Sequence, residues 1–423
     1  MTVAMILGAL FALLLVGVPV AFSLGLLGLA MLVLGGFSPL MAPQAVLSTL
    51  DGFILLSVPL FLLMSNVLLR GGVGRDLFSA VQAWVGHWPG GLAVATVISC
   101  GLFAAISGSS VATAATIGTV AIPEMIDRGY DRRFVYGLLA AGGTLGILIP
   151  PSIPMIVYGF VTEESVIALF LAGIGPGLAL LVMFAGYAMA HASLTGMGRS
   201  PRTGWADRWR ATLRATPSLA LAALVVAGIY TGAFTPTEAA AIGFAAAVLI
   251  TAVVLRTLTW AAFREAAMDS MATTVAILLI VAGAKVFGKA ITLYRIPQEI
   301  SAFISDNVAT PALFVLLVGA ILVVMGLVLE ALSMVLIMTP VLLPTAMGMR
   351  FDPIWFGVFM VIMVEAALIT PPVGLNLYVI QSVARSTLGD VARGALPFLL
   401  LMFLCVLLLY LIPDLALYIP FKL

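Results

Sequence analysis

Apolar residues run in stretches long enough to cross a bilayer, and they arrive twice in the same order. A crossing takes roughly 17 to 25 apolar residues. On that measure the first half reads 3–16 and 20–34, broken at Gly17-Val18-Pro19, then an amphipathic arm to Thr49. Next come 53–69, an amphipathic piece 77–88, and an apolar pair 92–106 and 111–126 split by Ser107-Gly108-Ser109-Ser110. A stretch 134–160, broken at Pro150-Pro151, and a last one, 165–190, complete it. The second half reads 217–230, 238–255, an arm to Ser270, 273–293, an amphipathic piece 298–307, and a split pair 312–329 and 333–346. It ends with 353–378, broken at Pro371-Pro372, and 395–418. The pattern predicts an all-α polytopic membrane protein of two structural repeats.

The prolines tie the halves together. Pro123, Pro150 and Pro151 correspond to Pro344, Pro371 and Pro372 at a constant offset of 221 positions. Proline inside a helix removes a backbone hydrogen bond and crowds the preceding turn. In hydrocarbon, freed backbone groups persist only where they line a cavity or meet a ligand. Matched interruptions in two halves therefore point to a transporter's binding site. Each split pair is too short for two spans and reads as a re-entrant helical hairpin, leaving five crossings per half. Five is odd, so the second repeat is expected to be inverted. Arginines agree with the positive-inside tendency. Arg199, Arg202, Arg208, Arg210 and Arg214 crowd the central loop, Arg128, Arg132 and Arg133 follow the first hairpin, and Arg385 and Arg393 precede the last helix. All are cytoplasmic if both termini are periplasmic, and the first 69 residues hold no Lys or Arg.

Composition narrows the function classes. Hydrophobic residues make up 63% and charged residues 9% of the chain, against roughly 25% charged in a soluble domain. Net charge is +1, which leaves no basic surface for nucleic acid. Cys100 and Cys405 sit in separate apolar segments and read as small core residues. The N-terminal stretch lacks a basic leader and reads as retained helix. His87 and His191 have no partners at metal-ligand spacing, and no nucleotide-binding motif occurs. Gly173-x-Gly175-x-Gly177 reads as a kink beside Pro176. No catalytic constellation is present, so an enzyme is not expected.

The interruptions carry the candidate chemistry. Half-helix ends meeting near the membrane midplane offer carbonyl oxygens and N–H groups. With the Ser107–Ser110 hydroxyls these suit a hard cation such as Na⁺ and an anionic substrate group; the alternative is a small-residue packing face. Glu330 aligns with Ser109 at the same offset, and an intramembrane carboxylate needs a partner or a cavity. Glu365, ahead of the second break, is the other such acid, with a helix-to-helix hydrogen bond as its alternative. Lys285 and Lys289 lie one turn apart on one helix face. Lys285, the deeper, either pairs with a glutamate or faces an anionic substrate.

Several of these stretches resemble the large membrane subunit of tripartite ATP-independent periplasmic (TRAP) transporters. They are Phe103-Ala104-Ala105-Ile106-Ser107-Gly108-Ser109-Ser110 with Gly118 and Ile122-Pro123-Glu124-Met125, and Gly146-Ile147-Leu148-Ile149-Pro150-Pro151-Ser152-Ile153. Thr235-Pro236-Thr237-Glu238-Ala239-Ala240, Glu330 with Pro340 and Pro344, and Thr370-Pro371-Pro372-Val373-Gly374-Leu375-Asn376-Leu377 add support. The resemblance covers essentially the whole chain. It implies an elevator-type ion-transporter fold in the bacterial inner membrane, taking up a small organic acid with Na⁺ as coupling ion and no other cofactor. It implies two partners, a small four-helix membrane subunit and a periplasmic substrate-binding protein.

Under this resemblance the first sodium site would involve Ser107, Gly108 and Ser110 with backbone near Gly143 and Pro150. The second would involve Gly326 and Glu330 with Thr370 and Gly374. Substrate would lie between them near Ser109 and Asn376, with Lys285 as a further contact. The expected divisions are 1–191 for the first repeat, 192–216 for an Arg-rich cytoplasmic loop and 217–423 for the second repeat. The transport domain would comprise about 92–160 and 311–382, with the rest as scaffold. Rival readings are an ion-coupled carboxylate transporter without a binding protein, and a channel with re-entrant hairpins.

Overall fold

The computed structural model describes residues 3–196, 202–307 and 310–422; Arg199 lies outside them. Among the described residues there are twenty α-helices and no strand. The first ten are α1 (Val3–Leu15), α2 (Val20–Leu34), α3 (Met41–Leu50), α4 (Ser57–Arg70), α5 (Val73–Val85), α6 (Gly91–Ser107), α7 (Ser110–Asp127), α8 (Arg132–Leu148), α9 (Ile153–Thr162) and α10 (Val166–Thr195). The second ten are α11 (Trp205–Tyr230), α12 (Pro236–Leu249), α13 (Trp260–Leu293), α14 (Ile296–Asn307), α15 (Pro311–Met325), α16 (Ala331–Gly348), α17 (Pro353–Leu368), α18 (Leu375–Ala384), α19 (Leu388–Leu411) and α20 (Asp414–Lys422). Among the described residues seven helical stretches are long and apolar enough to span a bilayer, and α8 with α9, bent by 40° at their break, passes the same measure as a pair. Leu178, Leu316, Leu400 and Leu407 point outward, as hydrocarbon-facing residues do.

Helix starts follow local polar chemistry. Asp131 accepts from Phe134 N–H at 2.9 Å to open α8, and Asp352 accepts from Ile354 N–H at 2.8 Å to open α17. Thr235 and Glu238 form a reciprocal capping box at α12, which satisfies two otherwise orphaned backbone groups.

Three boundaries differ from the sequence expectation. The second-half arm and the 273–293 span are one continuous helix, α13, because no glycine or proline separates them; Asp51-Gly52 ends the equivalent arm α3 in the first half. The 217–230 stretch begins at Trp205, so Arg208, Arg210 and Arg214 stand on helix. Trp205 packs edge-on against Trp84, and Trp84 donates to Thr212 at 2.9 Å, pinning amphipathic α5 along α11. The final stretch stops at Leu411, before Pro413, and α20 folds back onto α10.

The glycines beside Pro176 allow close approach of neighbouring backbone and side chains. A side-chain carbon on Gly173 would sit 2.6 Å from the Leu148 carbonyl oxygen, and Gly177 faces Ile149. α10 itself runs unbroken past Pro176.

Packing groups the helices. α2, α3, α4 and α12 lie on one another or on α13. α8 and α17 are buried along nearly their whole length, and α6, α7, α18 and α19 pack against α8. α10 contacts α6, α8 and α17. The arms of the second hairpin diverge from their tip: α15 lies on α17, whereas α16 lies on α9, α14 and α17.

Candidate functional site

The first hairpin tip is built to press backbone against the first break. α6 ends at Ser107, and Gly108 takes φ 59°, the left-handed region that glycine enters without penalty. A side-chain carbon there would fall 2.6 Å from the Pro151 carbonyl oxygen. Ser109 is extended and caps α7 by accepting from Ala112 N–H at 3.3 Å. Thr113 donates to the Ser109 carbonyl at 2.8 Å and shares a 2.8 Å hydrogen bond with Ser107 Oγ. Gly143 and Gly146 of α8 face the carbonyl oxygens of Ser110 and Ser109, where any side-chain carbon would crowd them. Ser107, Gly108, Ser110, Gly143 and the Pro150-Pro151 break therefore converge, with carbonyl and hydroxyl oxygens at close quarters.

The second tip meets the second break in the same manner. Gly326 packs on Ala367 of α17, and Gly374 lies against the carbonyl oxygens of Leu368 and Thr370. Thr370 Oγ1 donates to the Ala366 carbonyl at 2.7 Å. Glu330 stands at the start of α16, where Ser333 Oγ donates to its carboxylate at 3.2 Å.

Both tips open into one cavity of about 150 Å³. Gly108, Ser109, Ser110 and Glu330 line it, with Leu368 and Leu375 from the second break. Leu62 of α4 and Thr273 and Ile277 of α13 close it from the other helix group.

Asn376 does not line this cavity. It is fully buried, and its amide nitrogen donates to Ser110 Oγ at 2.7 Å and to the Ala140 carbonyl at 3.3 Å. It ties α18 to the first tip and to α8. Glu365 is buried, with the Ser110 hydroxyl of α7 as the polar neighbour of its carboxylate and that hydroxyl bonded in turn to Asn376.

Lys285 stands elsewhere. Its Nζ lies 4.7 Å from the Phe160 ring centroid, a cation–π arrangement. Among the described residues it forms no ion pair with Glu330 or Glu365, and the glutamate within its electrostatic range is Glu163. It lines a separate cleft with Lys289.

Sequence reasoning missed Thr113 and Gly146. Both lie one helical turn from recognised tip or break residues, which was the available signal.

Two polar tips seated on two broken helices are an arrangement that membrane transporters use to build a site. The structure is similar to that of the YdaH transporter of Alcanivorax borkumensis, with TM-score 0.59 and 15% identity, covering 89% of this chain and 87% of that one. It is also similar to MtrF of Neisseria gonorrhoeae, described within a class of antimetabolite efflux pumps, at TM-score 0.51 and 15% identity over 87% and 83% of the two chains. At that identity the likeness shows the fold alone.

Residues 7–415 match the family described as tripartite ATP-independent periplasmic transporter, DctM component. The chain is 39% identical to the C4-dicarboxylate TRAP transporter large permease protein DctM of Pseudomonas aeruginosa, over 88% of this chain and 87% of that one. It is 34% identical to the sialic acid TRAP transporter large permease protein SiaM of Vibrio cholerae, over 98% and 96%. Against the ectoine TRAP transporter large permease protein TeaC of Halomonas elongata the identity is 35%, over 86% and 85%. The chain belongs to this family: it is a multi-pass TRAP transporter large permease.

Proposed function

We propose that this permease takes up a small organic acid with Na⁺, by elevator-type movement of a hairpin-bearing body against a scaffold. The observation that carries the reading is the single cavity that both tips, Glu330, both breaks and α13 share. The relatives are named for C4-dicarboxylate, sialic acid and ectoine, all of which carry a carboxylate. The oxygens around Ser107, Gly108, Ser110, Gly143 and Pro150 form the donor set a hard cation prefers. The buried Glu365 carboxylate beside them supports a cation there, since a buried charge persists only when compensated. Gly326, Glu330, Thr370 and Gly374 would serve a second ion. Substrate would contact Ser109, and Asn376 would act through Ser110.

The moving body would comprise the hairpins and broken helices. We place α10 and α19 with it, because they pack on α6, α8 or α17 and scarcely on the α13 group. A small membrane subunit would brace the scaffold, and a periplasmic binding protein would deliver the acid. The two repeats would be inverted, with both termini periplasmic. A cysteine replacing Arg210 should then react with an impermeant thiol reagent only from the cytoplasmic side, and one replacing Lys422 only from the periplasmic side. Same-side reaction would remove the inversion.

The function is tested in proteoliposomes holding the permease and its small subunit, with binding protein added outside. Labelled succinate, a C4-dicarboxylate, should enter only under an inward Na⁺ gradient. Ser107→Leu and Thr370→Val should each raise the Na⁺ needed for half-maximal uptake roughly tenfold or more. Equal uptake in K⁺, or without binding protein, would overturn the reading.

A further inference from the structure

Lys285 and Lys289 line a cleft of about 500 Å³, separate from the tip cavity, together with Gln44 and Ser48 of α3 and Thr292 of α13. All these side chains can donate hydrogen bonds, and no Asp or Glu lines the cleft. Lys285 is half-buried and Lys289 exposed. Glu163, just beyond α9, is the acid within electrostatic range of Lys285, and the lysine nevertheless rests on Phe160. Among the described residues neither lysine forms an ion pair.

The cleft and the tip cavity are successive spaces along the same two helices. On α13 the tip cavity takes Thr273 and Ile277, and the cleft takes Lys285, Lys289 and Thr292. On α16 the tip cavity takes Ala331 and Leu332, and the cleft takes Leu336 and Pro340. At 1.5 Å rise per residue, Ile277 and Lys285 are about 12 Å apart along the helix. The two cations and the hairpin tips thus lie in line along α13 and α16.

We infer that the Lys285–Lys289 cleft is a first anion station, which holds a carboxylate of the incoming acid before the tips receive it. Two like charges one turn apart in a walled cleft focus potential and raise the local concentration of an anion. The Gln44 amide can donate to a remaining carboxylate oxygen, whereas the Ser48 and Thr292 hydroxyls already donate to the Ala45 and Gly288 carbonyls. This assignment rests on the reading of the chain as an acid permease. It moves Lys285 from the final binding site to an earlier one and adds Lys289 to it.

The test uses a Ser48→Cys reporter in the full permease with its small subunit, in nanodiscs. Cys100 and Cys405 are both buried, so the reporter supplies the accessible thiol. An anionic sulfonate thiosulfonate reagent should react faster than its trimethylammonium counterpart. The excess over their ratio on a small free thiol should be roughly tenfold. Lys285→Gln and Lys289→Gln should each reduce that excess at least about threefold, and Lys285→Arg and Lys289→Arg should restore it. Succinate should protect the reporter and neutral succinamide should not, with protection lost in the Gln variants. Equal reagent rates, or protection indifferent to the lysines, would overturn the station even if uptake is normal. Selective labelling and protection without Na⁺-driven uptake would sustain the station and sink the transport reading.

Discussion

Glu365→Gln should abolish uptake, lowering it about a hundredfold or more, while the permease still inserts and assembles at its normal level. Glu365 is fully buried, with no cationic side chain and only the Ser110 hydroxyl beside its carboxylate among the described residues. An isolated buried carboxylate carries a penalty of several kcal/mol, so its charge persists only if a cation shares the site. Glutamine keeps the shape and removes the charge, which leaves folding intact and can even stabilise it. Loss of the counter-charge costs the ion about 2.7 kcal/mol or more, which is roughly a hundredfold in affinity. The measurement is initial uptake rate across a Na⁺ titration. An unchanged rate and an unchanged Na⁺ midpoint would mean that Glu365 is a neutral packing residue.

Gly108→Ala should be nearly as damaging, and Gly129→Ala supplies its control. Both glycines have positive φ, 59° and 80°. An alanine in that region costs on the order of 1–2 kcal/mol. Gly129 has open space around it, so that strain is the whole effect and uptake should persist. At Gly108 the added carbon would also meet the Pro151 carbonyl at 2.6 Å, and the obstacle is backbone that cannot swing away. The tip must then lift from the break and take Ser107 and Ser110 with it. Uptake should fall more than about tenfold relative to the Gly129 variant, measured at equal membrane abundance. Equal uptake in the two variants would show that the tip-to-break contact is dispensable.

Much of this site was legible in the chain because it is written in residues with unusual backbone chemistry. Pro150-Pro151 and Pro371-Pro372 mark both breaks, and Ser107 to Ser110 marks the first tip. The hairpin boundaries follow, since the glycine and hydroxyl residues that stop α6 also cap α7. Side-chain partners were less legible. Glu365 and Lys285 both read as intramembrane charges in need of a partner, and each could have served the other. The fold separates them: Lys285 turns toward Phe160 and the cleft, and Glu365 turns toward Ser110.

Asn376 shows the same limit. Its expected place near substrate came from the resemblance alone, and nothing in the chain showed that its amide would tie Ser110 to Ala140. The fusion of the arm and span into α13 was hidden for a different reason. Arg264, Glu265 and Asp269 look like a solvent-exposed break, yet Glu265 and Asp269 each bind Arg70 at 2.5 Å and belong to uninterrupted helix.

The central claim is that the hairpin body moves against the α13 group during transport. Ile277 of α13 and Leu332 of α16 face the same cavity from the two sides. Cysteines at both positions, joined by a short bis-methanethiosulfonate that a reductant cleaves, should lock the body in place. Uptake should stop on cross-linking and return on cleavage, while each single-cysteine variant remains active after the same treatment. Full uptake by the cross-linked protein would contradict the moving-body account.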